Sequence, residues 1–332
     1  MTEFPGLRAA ITGTGAATPK RVMTNREFES LVETTDEWIV QRTGIRERRV
    51  CSREETTGSL SLEAARMALK DAGVDAHELD LIVVATVTGD HLWPATACQI
   101  QGELGAESAA AYDISAACAG FIYGLANVGS LIATGQVKKA LLIGADCLTK
   151  QMDWTDRSTC ILFGDGAGAC VLEAHQGSDR GLIATVMKSD GKAFKHIILE
   201  RGGNKYPYAD PAGADKSCFI KMNGQEVYRY AVHAMGEACE AVLAKAGMST
   251  DEVDLFVPHQ ANLRIIESAA KRLDLPWEKV FINVDRYGNT SGASVPLALD
   301  EARRSGTLKQ GMTVLTVGFG AGLVWGANLT RM

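Results

Sequence analysis

LKDAGVDAHELDLIVV, residues 69–84, and LAKAGMSTDEVDLFVP, residues 243–258, are two copies of one pattern. Gly73 aligns with Gly247, Asp80 with Asp254 and Leu81 with Leu255, all at an offset of 174 residues without a gap. The same offset aligns LLIG, ending at Gly144, with LTVG, ending at Gly318. Chance can supply one such match; two at one offset point to duplicated halves. Each copy reads as a helix closed by glycine, then a short apolar run that makes a buried strand.

The pattern extends outward as alternating helices and strands. Residues 59–72 are helical, and DLIVVATV from Asp80 is a strand. AAYDIS (110–115) is a strand leading into a helix, and KALLIGAD (139–146) is a further strand. In the second copy, Asn223 and Glu226 have capping-box spacing at the head of a helix running to Gly247. DLFVPH, a helix over 261–273, KVFINVD as a strand, a helix after Asn289 and MTVLTVGFG as a strand follow. Such alternation predicts a layered α/β fold with largely parallel strands. Residues 188–222 are rich in Gly, Lys, Asp and Pro. They read as the connection between halves or a loop over a site.

The chain has 332 residues, 46% apolar and 22% charged, which fits an ordered globular protein. Its net charge of −6 argues against a general nucleic-acid binder. Residues 114–137 carry no charge and are long enough to span a bilayer, but four glycines, Asn127 and Gln136 predict a buried helix instead. Met-Thr-Glu-Phe-Pro-Gly at the start shows no signal-peptide pattern. The eight cysteines contain no C-x-x-C pair, and the six histidines show no metal-ligand spacing. The cysteines read as reduced thiols in a cytoplasmic protein.

Cys118 follows a strand and opens the uncharged helix. A helix N-terminus favours a thiolate, so Cys118 is either a nucleophile with a depressed pKa or a packed core thiol. His259 stands just past the strand DLFVP, where open α/β sheets bind ligands, and aligns with Ala85 in the first half. It is either a site residue or a hydrogen-bonded structural histidine. Asn289, in YGNTSGAS, occupies a strand-to-helix turn roughly corresponding to that of Cys118; the bland alternative is a turn or cap. VGFGAG (317–322) ends a strand in a glycine-rich turn able to present a backbone N–H as an oxyanion hole does. The duplication thus divides the chain into residues 1–175, with the candidate nucleophile, and 176–332, with His259 and Asn289. Gly13-Thr-Gly15 lacks the third glycine of a dinucleotide loop, and no G-x-S-x-G occurs.

At these residues the chain resembles the condensing enzymes of the thiolase superfamily, most closely the β-ketoacyl-acyl carrier protein synthase III family. The resembling segments run nearly end to end: DEWIVQRTGIRERR (36–49), LIVVATVT (81–88), ACQIQ (97–101), AACAGF (116–121), FGDGAGA (163–169), VPHQANLRII (257–266), YGNTSGASVP (287–296) and FGAGLVWG (319–326). The resemblance implies a five-layered αβαβα sandwich of two duplicated halves. It implies a decarboxylative condensation of a short acyl-CoA, acetyl above all, with malonyl-acyl carrier protein through an acyl-cysteine. Cys118, His259 and Asn289 would then be the catalytic triad, with the N–H groups of Cys118 and Ala321 as the oxyanion hole. The family often has glycine where Ala321 stands.

By the same resemblance, Trp38 and Arg157 sandwich the adenine of coenzyme A. Arg264 meets the carrier protein, joined by Lys271 and Arg272 on the same predicted helix. Trp93 bounds the far end of the acyl pocket across a homodimer interface. The implied partners are acyl carrier protein, acyl-CoA and a second copy, without cofactor, metal, membrane or nucleic acid. The alternatives are a related ketosynthase of secondary metabolism with an unusual primer, a Cys-His-Asn thioesterase or acyltransferase, and a non-catalytic partner subunit.

Overall fold

The two quoted segments fold alike, landmark for landmark. The structure, a computed structural model, describes residues 6–177, 179–207 and 216–332. Helix α1 (Thr57–Ala72) and α3 (Gly224–Ala246) each close on a left-handed glycine, Gly73 at φ 66° and Gly247 at φ 67°. Between these two lies α2 (Gly120–Ala133), and after them α4 (Leu263–Arg272) and α5 (Ser294–Arg304). Each glycine leads into a 3₁₀ turn, Ala76–Glu78 or Thr250–Glu252, held by a capping box in which Glu78 or Glu252 reaches back to Asp75 or Ser249. A short strand follows each turn, and every step keeps the offset of 174.

Among the described residues there are two main sheets. The first comprises β1 (Leu7–Ala17), β2 (Leu81–Ala85), β3 (Ala110–Ile114), β4 (Lys139–Cys147) and β5 (Asp165–Gln176), in the order β1-β5-β4-β2-β3. The second comprises β6 (Gly181–Ser189), β7 (Leu255–Pro258), β8 (Thr313–Gly320) and β9 (Val324–Arg331), in the order β7-β8-β9-β6. The register repeats as well as the order. Leu81 pairs with Ala140 in a parallel ladder, and Leu255 pairs with Val314 in another, so both partners move by 174.

The strands are apolar on both faces because both faces are covered. Leu81 and Val83 face inward on one core with α2 and α5; Ile82 and Val84 face outward onto α1. Leu255 and Val257 share the inner core, and Phe256 turns outward to α3 and α4. The layers are therefore helix, sheet, central helices, sheet, helix, the αβαβα sandwich that the resemblance implied. The uncharged stretch became central helix α2, buried between sheets, and no helix of the described residues is long and apolar enough to cross a membrane.

Three expectations need correction. The strands are not largely parallel: the β1–β5, β4–β5, β8–β9 and β6–β9 pairings are antiparallel, against three parallel pairings in the two main sheets. KVFINVD does not make a strand: only Val280 bridges Phe256, and the backbone then leaves the sheet for a short helix, Val284–Tyr287. The Gln260 side chain takes the ladder's place. Its Oε1 accepts the N–H of Asn283 (3.0 Å) and Val284 (3.1 Å), and its Nε2 donates to Phe281 O (3.1 Å). The helix expected over 261–273 begins at Leu263, because the Asn262 side chain caps it through the Arg264 N–H.

Gly144 shows how the halves meet. A Cβ there would lie 2.1 Å from the carbonyl oxygen of Gly292, in the turn before α5. Its counterpart Gly318 lies against the turn before α2, 3.3 Å from the Cys118 carbonyl oxygen by the same construction. Each sheet thus rests on the strand-to-helix turn of the other half, which brings both turns to one place.

Candidate active site

The two turns have the same backbone. Ala117 and Ser291, offset by 174, both adopt positive φ, 44° and 52°. Each opens a 3₁₀ turn, Ala117–Ala119 or Ser291–Ala293, that runs into α2 or α5. Positive φ costs a residue with a Cβ free energy, and here the surrounding packing imposes it at both positions. The counterpart of Cys118 is therefore Gly292, not Asn289, which stands three residues earlier and opposite Ser115. This refines the sequence-based pairing of the two turns.

A cavity of about 680 Å³ opens beside these turns, and Cys118, His259, Asn289 and Ala321 all line it. Trp38, Arg157 and the described part of the 188–222 connection, through Phe194, Ile197 and Ile220, line it too. Most of the cavity wall is carbon, which suits an acyl chain or a pantetheine arm.

His259 is 2% exposed, and burial holds its imidazole down to about 4, so it is neutral at pH 7. Its Nδ1 lies 2.8 Å from Ser294 Oγ, and the same oxygen accepts the Gln260 N–H at 2.8 Å. With a donor already on that oxygen, the serine O–H can donate to Nδ1, which places the ring hydrogen on Nε2. Asn289 is 7% exposed, and its Oδ1 accepts the N–H of Ser291 at 2.9 Å. That bond holds the positive-φ turn and leaves the Nδ2 end as the donor.

Cys118 is half-buried at the cavity wall. Its thiol is pushed up to about 12, first by burial and further by the charge of Asp146, while the Ser291 hydroxyl opposes the rise. The depressed pKa expected of a helix N-terminus is thus corrected: desolvation outweighs it, and the resting group is a thiol.

Asp146, Ser291, Ser294 and Gln260 were not singled out from sequence. Asp146 is fully buried and accepts from Thr86 Oγ1 (3.0 Å), the Val87 N–H (2.9 Å), Thr88 Oγ1 (2.9 Å) and the Gly292 N–H (3.1 Å). Its counterpart at offset 174 is Gly320, where a Cβ would sit 2.5 Å from the Cys118 nitrogen. In one half a carboxylate covers the N–H of the turn. In the other the side chain is missing, and the N–H beside the sulfur stays uncovered by residue 320. The alignment of LLIGAD with LTVGFG carried this signal.

The peripheral residues fare unevenly. The guanidinium of Arg157 lies 4.7 Å from the centre of the Trp38 ring and that of Arg42 4.0 Å, so Trp38 already carries two cations, and a purine placed between Trp38 and Arg157 would have to part them. Arg42 was missed in the sequence. Arg264 and Lys271 are exposed on α4. Arg272 is not free: Glu240 holds it through bonds of 2.8 and 2.7 Å, and it donates to His233 O. It is removed from the proposed carrier face. Trp93 is 84% exposed and does not line the cavity of its own chain.

Comparisons with known proteins show the family. Residues 112–191 match the family described as 3-oxoacyl-[acyl-carrier-protein] synthase III, and residues 243–332 match its C-terminal counterpart. The β-ketoacyl-[acyl-carrier-protein] synthase III of Symbiobacterium thermophilum is 50% identical over 321 residues, 97% of each chain. The crystal structure of the Aquifex aeolicus 3-oxoacyl-[acyl-carrier-protein] synthase III superposes with a TM-score of 0.89 at 45% identity, over 98% of this chain and all of that one. The priming β-ketosynthase of the R1128 polyketide pathway superposes at 0.90 with 37% identity, over 98% and 97%. From the duplicated turns to the full-length likeness, the chain belongs to the 3-oxoacyl-[acyl-carrier-protein] synthase III family of thiolase-fold condensing enzymes.

Proposed function

We propose that this enzyme condenses a short acyl-CoA with malonyl-acyl carrier protein and so starts a fatty acid chain. The observation that carries the reading is the pairing of a buried, neutral His259 with an Asn289 whose oxygen is already occupied, both in the cavity of Cys118. Two neutral donors suit an oxyanion, not a proton-hungry base.

In the first half-reaction the Cys118 sulfur bonds to the thioester carbonyl carbon, with the oxyanion on the N–H groups of Cys118 and Ala321. The bond to the coenzyme A sulfur breaks, and coenzyme A leaves as the thiol with the cysteine's proton. In the second, the bond from malonyl C2 to its carboxylate breaks and carbon dioxide leaves. The electron pair becomes an enolate whose oxygen receives His259 Nε2–H and the Asn289 Nδ2–H. C2 then bonds to the acyl carbon, the bond to Cys118 breaks, and the sulfur regains a proton.

The remaining assignments are part of the same proposal. Residues 1–175 and 176–332 are the duplicated halves, supported by the gap between β5 and β6. Trp38 and Arg157 take the adenine of coenzyme A, joined by Arg42. Arg264 and Lys271 meet an acidic carrier protein. Trp93 closes the acyl pocket of a second copy, which its exposure supports, and its bulk favours acetyl or propionyl. The protein acts in the cytoplasm. The likeness to a polyketide priming enzyme supports a second reading, in which the primer is larger.

Intact-protein mass spectrometry after incubation with a panel of acyl-CoAs tests the proposal. The expected result is one acyl group on Cys118, acetyl fastest, with a single burst of free coenzyme A. Steady release of free acid would make the enzyme a hydrolase, and preferred octanoyl loading would favour the second reading.

A further inference from the structure

Outside the cavity, two cysteines stand in contact. Cys51 Sγ and Cys147 Sγ are 3.1 Å apart across 96 residues of chain. That is closer than ordinary sulfur–sulfur contact and about 1 Å beyond a disulfide bond.

The approach is set by the backbone. Cys147 ends β4, next to Asp146, and its N–H donates to Thr88 Oγ1 at 2.9 Å. Cys51 follows the strand Glu47–Val50, and its N–H donates to Asp165 Oδ2 at 2.8 Å. Asp165 is in turn the residue paired with Cys147 in the β4–β5 ladder, and it also accepts from the Thr149 N–H at 2.9 Å. One buried carboxylate thus ties both cysteine segments. Cys147 is buried and Cys51 partly exposed, so an oxidant meets Cys51 first.

The bond would add a covalent link between two parts of the fold that are otherwise joined by packing and hydrogen bonds. Glu47–Val50 pairs with Arg21–Thr24, and between these strands runs the helix Asp36–Thr43 that carries Trp38 and Arg42. This arm is stapled to the first sheet when the sulfurs bond.

We propose that Cys51 and Cys147 are a reversible dithiol–disulfide pair, distinct from Cys118, that fastens the Trp38 arm to the sheet under oxidising conditions. With a peroxide as oxidant, the Cys51 sulfur attacks one peroxide oxygen, giving a sulfenic acid and one water. The Cys147 sulfur then displaces the hydroxyl from the sulfenic sulfur, and a second water leaves. Two thiols and one peroxide become one disulfide and two waters. In a reducing compartment the pair stays open. The proposal is independent of the reaction assigned to the cavity.

The test treats the full-length protein with hydrogen peroxide, alkylates the remaining thiols without reduction, and maps the peptides by mass spectrometry. The exposed Cys98 is the internal control for oxidant reaching the protein. The expected product is one linked peptide containing Cys51 and Cys147, two hydrogens lighter, reopened by dithiothreitol. Closing so long a loop should raise the melting temperature by roughly 5 °C. Cys51→Ala and Cys147→Ala should each abolish both the linked peptide and the shift. Recovery of Cys51 and Cys147 as free thiols while Cys98 is oxidised would overturn the proposal. A linkage between other cysteines would overturn it too. A melting temperature lowered by the Cys51–Cys147 bond would refute the stapling role.

Discussion

Asn289→Ala separates the two half-reactions. The side chain does two things in the structure. Its Oδ1 accepts the Ser291 N–H at 2.9 Å, and its Nδ2 remains as a donor in the cavity. Losing a donor aimed at a developing oxyanion costs ~10²–10³ in rate, about 3–4 kcal/mol, and falls wholly on decarboxylation. Losing the acceptor leaves a buried N–H unpaired in the positive-φ turn, at about 1–3 kcal/mol of stability. The Ser291 hydroxyl also opposes the rise in the Cys118 thiol's pKa, so a loosened turn reaches the loading step, but only indirectly. Loading should slow by no more than about tenfold, since its oxyanion donors are backbone groups. The assay is single-turnover acylation followed by mass spectrometry, run beside release of labelled carbon dioxide from malonyl-carrier. A thermal melt of the variant measures the turn's share. Equal losses in both half-reactions would refute the reasoning and make Asn289 an organiser of the Cys118 turn.

Three further outcomes follow from the site's electrostatics and surface. Because burial holds Cys118 as a thiol, its alkylation by iodoacetamide should accelerate without a plateau from pH 6 to 9; a plateau near pH 7 would mean a resting thiolate. His259, lowered from 6.5 to about 4, stays uncharged in the folded state while the unfolded chain binds a proton, so its share of stability is complete above pH 6.5 and is lost as pH falls toward 4, by about 3 kcal/mol. Asp146 and Asp165, both raised by burial, oppose this trend, so the measurement is the difference in urea midpoint between the parent and His259→Gln at pH 7 and pH 4.5, which should shrink at the lower pH. Arg264→Glu should raise KM for malonyl-carrier at low salt and leave acyl-CoA loading unchanged, whereas Arg272→Ala, already committed to Glu240, should leave that KM alone; equal effects would return Arg272 to the docking face.

The repeat was legible because its parts are local. A left-handed glycine and an apolar strand are each written within a few residues, so Gly73 and Gly247, Leu81 and Leu255 declare themselves. Cys118, His259 and Asn289 were legible as positions at strand ends and helix starts, and the comparisons show the family to which the chain belongs. What stayed hidden depends on contacts far apart in sequence. Nothing near KVFINVD announces that the Gln260 side chain will replace a strand. The charge pattern of α4 gives Arg272 no partner, because Glu240 lies on another helix. The Cys118 pKa was misjudged for the same reason: the helix N-terminus is local, whereas the burial and the Asp146 charge that outweigh it are not.

Asp146 and Gly320 show how one fold unit used twice yields a site used once. The duplicated turns present equivalent N–H groups, at Cys118 and at Gly292. Had both halves kept a carboxylate at the end of the equivalent strand, each turn would be capped by the other half and neither N–H could receive a substrate. Asp146 caps the Gly292 turn and, through Thr86, Val87 and Thr88, is itself tied to the segment after β2. Gly320 lets the opposing strand approach to where even a Cβ would collide with the Cys118 nitrogen. On the proposed mechanism the asymmetry divides the roles: the second half's turn is locked and holds side-chain donors still, and the first half's turn is left open to hold an oxyanion. His259 completes the division, since its counterpart Ala85 contributes no polar group at the matching strand end. Two neutral side-chain donors in one half and a sulfur with its own N–H in the other are what the proposed reaction, with its two successive oxyanions, requires.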